Sequence, residues 1–247
     1  MMNYLKSELY RLSRKKSMYL FLSLCLLVPL MMTIMTLSAN SENYTNTQFV
    51  FRFAQNAWSI LIFITPIMVS LIQMDDFSDG TFKNMISFGL SRKTIFISKW
   101  LLSVLFLIVA GLLTYLTLTI SVFTLLPNTG SGSYASFNAS MLGVLPLVLA
   151  AVTVSHCICF LSGKIMMHAL VYIFLMVLLP EFYYMYANIE PVLIAFVNKV
   201  PLFPFAALND KLWQQQNGYL LCWALGLVYM FAAFLLSYRQ VEVKEFK

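Results

Sequence analysis

The stretch WLLSVLFLIVAGLLTYLTLTISVFTLLPNTGSGSYASFNASMLGVLPLVLAAVTVSHCICFLSG, residues 100–163, decides the fold class because it contains no Asp, Glu, Lys or Arg. A water-soluble domain cannot cover an uncharged run of this length. Lipid can, since each charge at the bilayer centre would cost about 2.5–3.5 kcal/mol. Across the chain 60% of the residues are hydrophobic and 11% are charged, against about 25% charged in ordinary soluble domains. We therefore expect an all-α membrane protein.

Hydropathy divides the chain into six transmembrane helices, each long enough to cross about 30 Å of hydrocarbon. They are predicted at residues 17–37, 54–74, 100–126, 140–162, 169–186 and 219–238. Residues 1–16 carry Leu5, Leu9 and Leu12 at helical spacing among basic residues, which predicts an amphipathic helix on the membrane surface. Residues 187–218 contain apolar pieces too short to cross, at 192–197 and 202–208, and predict a re-entrant outer region. The whole chain, residues 1–247, forms one transmembrane domain.

The basic residues predict the orientation of this multi-pass chain in the cell membrane. All but three of the 16 Lys and Arg residues fall on the side of the N-terminus; the exceptions are Arg52, Lys199 and Lys211. The positive-inside rule places that side in the cytoplasm, and an even number of spans brings both termini there. The formal charge of +6 is therefore interpreted as a topology signal, and we expect no nucleic-acid partner.

Motifs for catalysis and for nucleotide binding are missing from the sequence. Gly163-Lys164 is its one Gly-Lys pair, and Ile158 stands where a phosphate-binding loop needs its first glycine. Neither HExxH nor GxSxG occurs. His156 and Cys159 would share a helix face, but two ligands make a poor metal site, and the four cysteines lie in apolar segments where no disulfide framework is indicated. We expect no catalytic residues, no metal and no cofactor in this chain.

The loop at residues 75–99 carries the most specific pattern. It reads DDFSDGTFK at residues 75–83, continues with an apolar-patterned stretch at 84–90, and ends in SRK at 91–93 before Lys99. This order of an acid, Gly-Thr, a short helix, Ser-Arg and a Lys resembles the cytoplasmic loop between the second and third helices of ABC-2 type transporter permeases. The resemblance extends to the six spans, the N-terminal helix and the re-entrant region. The small size and layout are most similar to lantibiotic-immunity and peptide-export permeases of Gram-positive bacteria.

The resemblance implies a coupling helix that docks into a groove of a separate ABC ATPase subunit, which would bind ATP and Mg. Exposed Phe82, Met85, Ile86 and Phe88 would supply apolar contacts inside a charged rim. The predicted ATPase-coupling residues are Asp76, Asp79, Gly80, Thr81, Phe82, Lys83, Met85, Ser91, Arg92, Lys93 and Lys164. The last of these belongs to a second, shorter connection. For both loops the alternative is a solvated turn that carries topology charges.

Glu181, near the outer end of the fifth span, is a candidate exit-path residue or a partner of Lys199 or Lys211, and the alternative is an ordinary interfacial carboxylate. His156 and His168 are interpreted as packing residues.

The leading hypothesis is the permease subunit of an ATP-driven exporter. It would pair with itself or a sister permease and move an amphipathic substrate outward, with a lantibiotic or another antimicrobial peptide favoured by family analogy. The alternative is a non-transporting membrane sensor or scaffold that recruits a cytoplasmic partner. An ion-coupled transporter is disfavoured, because the sequence places no acid in the middle of a span.

Overall fold

The computed structural model describes residues 2–39, 44–127, 132–187 and 203–243, leaving aside the side chains of residues 187, 242 and 243. Within these ranges the chain forms helices and turns and no strand. In chain order the helices are α1 (Met2–Ser13), α2 (Lys16–Leu37), α3 (Thr47–Asn56), α4 (Ile60–Ser78), α5 (Thr81–Ser87), α6 (Arg92–Leu125), α7 (Gly132–Ser162), α8 (Ile165–Ile173), α9 (Leu179–Ala187), α10 (Pro204–Asn209) and α11 (Gly218–Val243). A π-helical turn (Phe174–Leu178) joins α8 to α9, and a 3-10 turn (Leu212–Gln214) lies between α10 and α11.

Six helical segments in the described part of the chain are long and apolar enough to cross a membrane. They are α2, α4, α6, α7, the continuous segment Ile165–Tyr186, and α11. Helices suit this environment because lipid offers no partner for backbone N–H and C=O groups, which an α-helix satisfies internally. The predicted fold class, an all-α membrane protein with six spans, is confirmed.

Two spans begin at residues other than the predicted ones. The second span begins at Ile60, later than residue 54, because Thr47–Asn56 forms the separate helix α3. The side chain of Asn46 caps α3 by accepting a backbone N–H at 2.8 Å. The third span begins inside the predicted loop, because Ser91 Oγ caps α6 by accepting the N–H of Thr94 at 3.1 Å.

The two ends of the bundle have different surroundings. At one end α1, α5 and the end of α11 meet, since Tyr4, Phe82 and Val241 belong to one hydrophobic cluster. At the other end α3 packs on α7, where the rings of Phe51 and Phe137 have centroids 5.4 Å apart. We refer to these as the α1 end and the α3 end. The first and last described helices therefore meet at the same end, as an even number of crossings requires.

Helix α7 lies at the centre of the bundle. It begins at Gly132, earlier than the predicted residue 140, and it packs on both α4 and α11. The approach of α11 is close because Gly226 has no side chain. A Cβ atom at this position would lie 2.5 Å from the carbonyl oxygen of Pro146 in α7. Gly226 is thus needed for the packing of α11 on the central helix.

We expect Gly226→Ala to lower the thermal stability of the purified protein. The two helices would have to separate, and such overpacking costs about 1–3 kcal/mol. Gly111→Ala is the matched control in another spanning helix, because a Cβ there meets no described atom within 4 Å. Midpoints of thermal unfolding in detergent measure both effects. Equal midpoints for the two variants would contradict the close packing of α7 and α11.

The fifth span changes its helical geometry near the middle. It begins at Ile165, earlier than the predicted residue 169, and passes through the π-helical turn into α9. Pro180, in the first turn of α9, has no N–H to donate to the carbonyl of Met176, so a regular α-helix would leave that carbonyl without a bond. A π-helical turn is a local adjustment that membrane helices use near proline. The span is consequently continuous across Pro180.

The predicted re-entrant region, residues 187–218, is described from residue 203 onward, and the predicted piece at 192–197 lies outside the described residues. Helix α10 is buried against α7. Trp213 in the 3-10 turn sits directly on α7 at Gly143, where a Cβ atom would lie 2.5 Å from the Trp213 Cβ. The described part of this region therefore packs on protein, and the re-entrant character of the whole region stays a prediction.

Candidate functional site

The loop between the second and third spans folds into the short helix α5. Helix α4 continues to Ser78, and α6 begins at Arg92, so both edges of the predicted loop are helical. Gly80 and Gly89 stand on either side of α5 with φ angles of 68° and 88°. This left-handed region favours glycine, because other residues are strained there. The Gly-Thr of the predicted pattern thus marks the turn from α4 into α5.

Phe82 is buried, and the prediction that it is an exposed contact is wrong. Its ring stacks on Phe77 at a centroid distance of 5.1 Å and meets Phe160 of α7 edge-on at 5.3 Å. Only 3% of Phe82 is exposed. Met85 and Ile86 border the same cluster and are half-buried. The apolar residues of α5 therefore hold the helix onto α4 and α7, a long-range contact that sequence spacing does not reveal.

The exposed surface of the loop is formed by other residues. Phe88, directly after α5, is 88% exposed, so the prediction of an exposed apolar ring is confirmed at this position. Lys83 and Asn84 are exposed on α5 itself. The loop thus presents an aromatic ring together with a basic side chain.

The second predicted coupling site, Gly163-Lys164, lies beside the first. Gly163 has a φ of 64°, which lets the chain turn sharply between α7 and α8. A Cβ atom at Gly163 would lie 3.5 Å from the ring of Phe77, the same ring that stacks on Phe82. Lys164 is exposed next to this turn. Two connections that are far apart in the sequence therefore form one continuous structure at the α1 end.

Four charged side chains form a buried ion cluster at this end: Glu8 and Arg11 of α1, Asp76 of α4 and Lys99 of α6. Lys99 Nζ lies 2.5 Å from Glu8 Oε2 and also contacts Asp76. Arg11 donates to Glu8 at 2.8 Å and lies 3.3 Å from Asp76. Lys99, Asp76 and Glu8 are 2%, 5% and 6% exposed. Two acids face two bases, and this balance makes the burial of Glu8, Asp76 and Lys99 tolerable, while the Arg11 side chain is 34% exposed.

Asp76 also joins α5 to the cluster. Thr81 Oγ1 donates to Asp76 Oδ1 at 3.2 Å, which links the first residue of α5 to the end of α4. The preceding residue, Asp75, pairs with Lys15 at 2.6 Å. Asp76 therefore contacts α1, α5 and α6 at once, while Asp75 contacts the segment that leads into α2.

The pKa values of two α1 side chains are shifted by this arrangement. Burial alone would lower the pKa of Arg11, but the carboxylates of Asp76 and Glu8 outweigh it and raise that pKa. Burial, with the same two carboxylates nearby, raises the pKa of the Tyr4 hydroxyl. Arg11 stays charged and Tyr4 stays neutral at physiological pH.

The sequence interpretation missed this cluster because it assigned α1 by its leucines. In the structure Glu8 and Arg11 face the bundle together with Leu5 and Leu12, while Leu9 is exposed. One signal could have identified the cluster. Glu8 and Arg11 lie one turn apart, and Asp76 and Lys99 stand at the ends of apolar spans where an unpaired charge is costly.

The remaining predicted coupling residues lie around the same loop. Ser91 caps α6. Lys93 Nζ lies 4.8 Å from the ring centroid of Tyr238 in α11, a cation-π contact that ties the start of α6 to the last span. Asp79 is exposed and accepts a hydrogen bond from the neighbouring serine hydroxyl at 3.3 Å. Arg92 is half-buried.

Glu181 is not part of this group. It lies exposed in α9, after the π-helical turn. Lys199, one of its predicted partners, lies outside the described residues. An exit-path role for Glu181 stays a prediction.

Both histidines bind polar side chains inside the bundle. His156 Nδ1 lies 2.6 Å from the side-chain nitrogen of Gln73. The ring nitrogens of His168 lie 3.1 Å and 2.9 Å from the hydroxyls of Ser70 and Ser155. These bonds connect α7 and α8 to α4, which supports the interpretation of the histidines as packing residues.

The fold and the site define a polytopic helical membrane protein whose second and third spans are joined by a short helix packed on the end of the bundle. Residues 4–178 match the family described as ABC-2 family transporter protein. The match covers well over half of the chain, and the chain belongs to this family. No curated protein matches the chain. The chain is thus a multi-pass membrane protein with a permease role.

Proposed function

We propose that the chain is the permease subunit of an ATP-driven exporter, and that α5 and the Gly163-Lys164 turn dock an ABC ATPase. Family membership supports the permease role. The chain has no phosphate-binding loop of its own, so ATP and Mg would be bound by a separate subunit.

The observation that carries this proposal is the pair of neighbouring residues Asp76 and Phe77. Asp76 connects α5 to α1 and α6. Phe77 connects α5 to α7 and to the turn at Gly163. A displacement of α5 by a moving ATPase would therefore act on the second, third and fourth spans together. This is the mechanical link that a coupling helix requires.

The α1 end would face the cytoplasm. The three basic residues assigned to the opposite side include Arg52, which lies in α3 at the α3 end. The basic residues of α1, of the α5 loop and of the Gly163-Lys164 turn lie at the α1 end. By the positive-inside rule this asymmetry supports cytoplasmic termini.

The transporter would contain a second permease, either another copy of this chain or a sister chain, and two ATPases. An amphipathic substrate moved outward, such as a lantibiotic or another antimicrobial peptide, is the cargo that the family resemblance favours. The alternative function is a sensor or scaffold without transport, which would bind no ATPase through α5.

Co-expression with ABC ATPases from the same genome, followed by co-purification, tests the docking site. We expect the double variant Phe88→Asp, Lys83→Glu to recover at least about tenfold less ATPase, because removal of a central interface contact costs about 2 kcal/mol or more. Phe82 is unsuitable for this test, since its replacement would disturb the packing of α5.

Two controls accompany this variant. Phe88→Leu keeps an apolar side chain at the exposed position and should retain the ATPase. Arg52→Glu makes the same charge change as Lys83→Glu at the α3 end and should also retain it. If the double variant retained the ATPase as well as the wild type, α5 would not be the docking site. Failure of the wild type to recover any ATPase would favour the sensor or scaffold.

A further inference from the structure

Helix α1 has two faces of different charge. The inward face carries Glu8 and Arg11, both used in the buried ion cluster. The outward face carries exposed Lys6 and Tyr10, and exposed Arg14 continues it directly after the helix. Glu8 is the single acid of α1, so the outward face offers positive charge with no acid of its own.

The chain itself fixes the depth of this face in the membrane. Helix α2 begins at Lys16 and is apolar from there to Leu37. Arg14 and Lys16 must therefore lie where the apolar span starts, which is the level of the lipid headgroups. The Tyr19 hydroxyl donates to the carbonyl of Ser13 and so braces the corner between α1 and α2.

Tyr10 adds a feature of interfacial helices. Its ring is exposed, and the guanidinium of Arg14 lies 4.8 Å from the ring centroid. Tyrosine is enriched at membrane interfaces, where its ring sits at the headgroup level. The stacked pair keeps the Arg14 charge on the outward side of the helix.

The other basic residues of this segment face the protein. Lys15 pairs with Asp75 and donates to the carbonyl of Leu71 at 2.6 Å. Arg11 pairs with Asp76. The basic residues near the first span are thus sorted into an inward pair that is neutralised by protein carboxylates and an outward set consisting of Lys6, Arg14 and Lys16.

We propose that the outward face of α1 binds the headgroups of anionic phospholipids of the inner leaflet. The occupant is lipid because the face runs directly into the exposed apolar side of α2, where Leu20 and Leu24 are exposed and meet the bilayer. Lys6, Arg14 and Lys16 contact the phosphates, and Tyr10 lies among the headgroups. This binding is independent of ATPase docking at α5.

The test is a lipid titration of the detergent-purified full chain, followed by native mass spectrometry. Dioleoylphosphatidylglycerol and dioleoylphosphatidylcholine are the two probes. We expect the wild type to bind the phosphatidylglycerol more tightly than the phosphatidylcholine. The triple variant Lys6→Gln, Arg14→Gln, Lys16→Gln should raise the Kd for phosphatidylglycerol at least tenfold, given about fivefold for each basic side chain near a charged membrane surface. Its Kd for phosphatidylcholine should not change.

Arg52→Gln removes one charge at the α3 end and should leave the preference for phosphatidylglycerol intact. All four altered residues are exposed, so the variants should keep the thermal stability of the wild type. Equal binding of the two lipids by the wild type would overturn the proposal, as would an unchanged Kd in the triple variant. So would a triple variant that keeps its lipid preference but no longer co-purifies with the ATPase, because the face would then serve an acidic protein partner.

Discussion

Lys99→Met should destabilise the protein strongly. The substitution keeps the approximate length of the side chain but leaves Glu8 and Asp76 with Arg11 alone to balance two buried carboxylates. Breaking a buried ion pair by removing one partner costs about 3–5 kcal/mol, because the remaining charge is desolvated without compensation. A lower midpoint of thermal unfolding in detergent, together with loss of expressed protein, would be the measured result.

Two further variants show whether the charge balance is the cause. Lys15→Met removes a pair in which Asp75 is nearly half exposed, and such pairs contribute about 0–1 kcal/mol. The double variant Lys99→Met, Asp76→Asn leaves one acid and one base in the cluster and should recover part of the lost stability. A single Lys99→Met variant as stable as Lys15→Met would show that the cluster does not hold α1 to the bundle.

Phe82→Ala should lower the stability of the protein, whereas Phe88→Ala should lower only the recovery of the ATPase, although both residues belong to the same loop. Truncation of a buried phenylalanine costs about 3–5 kcal/mol, so Phe82→Ala should lower the unfolding midpoint clearly. Phe88 is 88% exposed, and its truncation should leave that midpoint within error while reducing the ATPase recovered by co-purification. The two variants distinguish the residue that holds α5 in place, Phe82, from the residue proposed to contact the ATPase, Phe88.

The reverse pattern would contradict the placement of α5. If Phe88→Ala destabilised the protein and Phe82→Ala did not, α5 would be rotated so that Phe88 and not Phe82 packs against the bundle. If both were neutral in stability and in ATPase recovery, the loop would be a solvated turn.

The spans could be predicted from the sequence because lipid imposes a local requirement. Any segment of about 20 residues that crosses the bilayer must be apolar along its whole length, and residues 100–163 satisfy this twice without a charge. The starts of spans were less predictable. Whether Thr47–Asn56 joins the second span or forms a separate helix depends on the turn at residues 57–59 and on the packing of α3 across α7.

The site was predictable only in part, because burial in it depends on distant segments. The Gly-Thr turn and the short helix follow from the local pattern, and both are present. The burial of Phe82 depends on Phe160, which is contributed by another span. Likewise, the inward face of α1 is fixed by Lys99, whose partner Glu8 is remote in the sequence. Periodicity predicts leucines on that face, and Leu5 and Leu12 do pack there, but it does not reveal that Glu8 and Arg11 share the face through ion pairs with other helices.

Helix α1 is linked to the proposed docking helix α5. Because Asp76 contacts both Arg11 and Thr81, α1 is connected to α5 through a single carboxylate. If an ATPase displaces α5, we expect α1 to move with it.

Site-specific photocrosslinking tests the central claim, that α5 docks an ABC ATPase, most directly. A photoreactive benzoylphenylalanine would replace Phe88 in the full chain co-expressed with the candidate ATPases, and the same residue would replace exposed Phe182 of α9 as the control. The account predicts a crosslinked product containing an ATPase peptide from position 88 and none from position 182. An ATPase that co-purifies with the chain but crosslinks from position 182 and not from position 88 would contradict it.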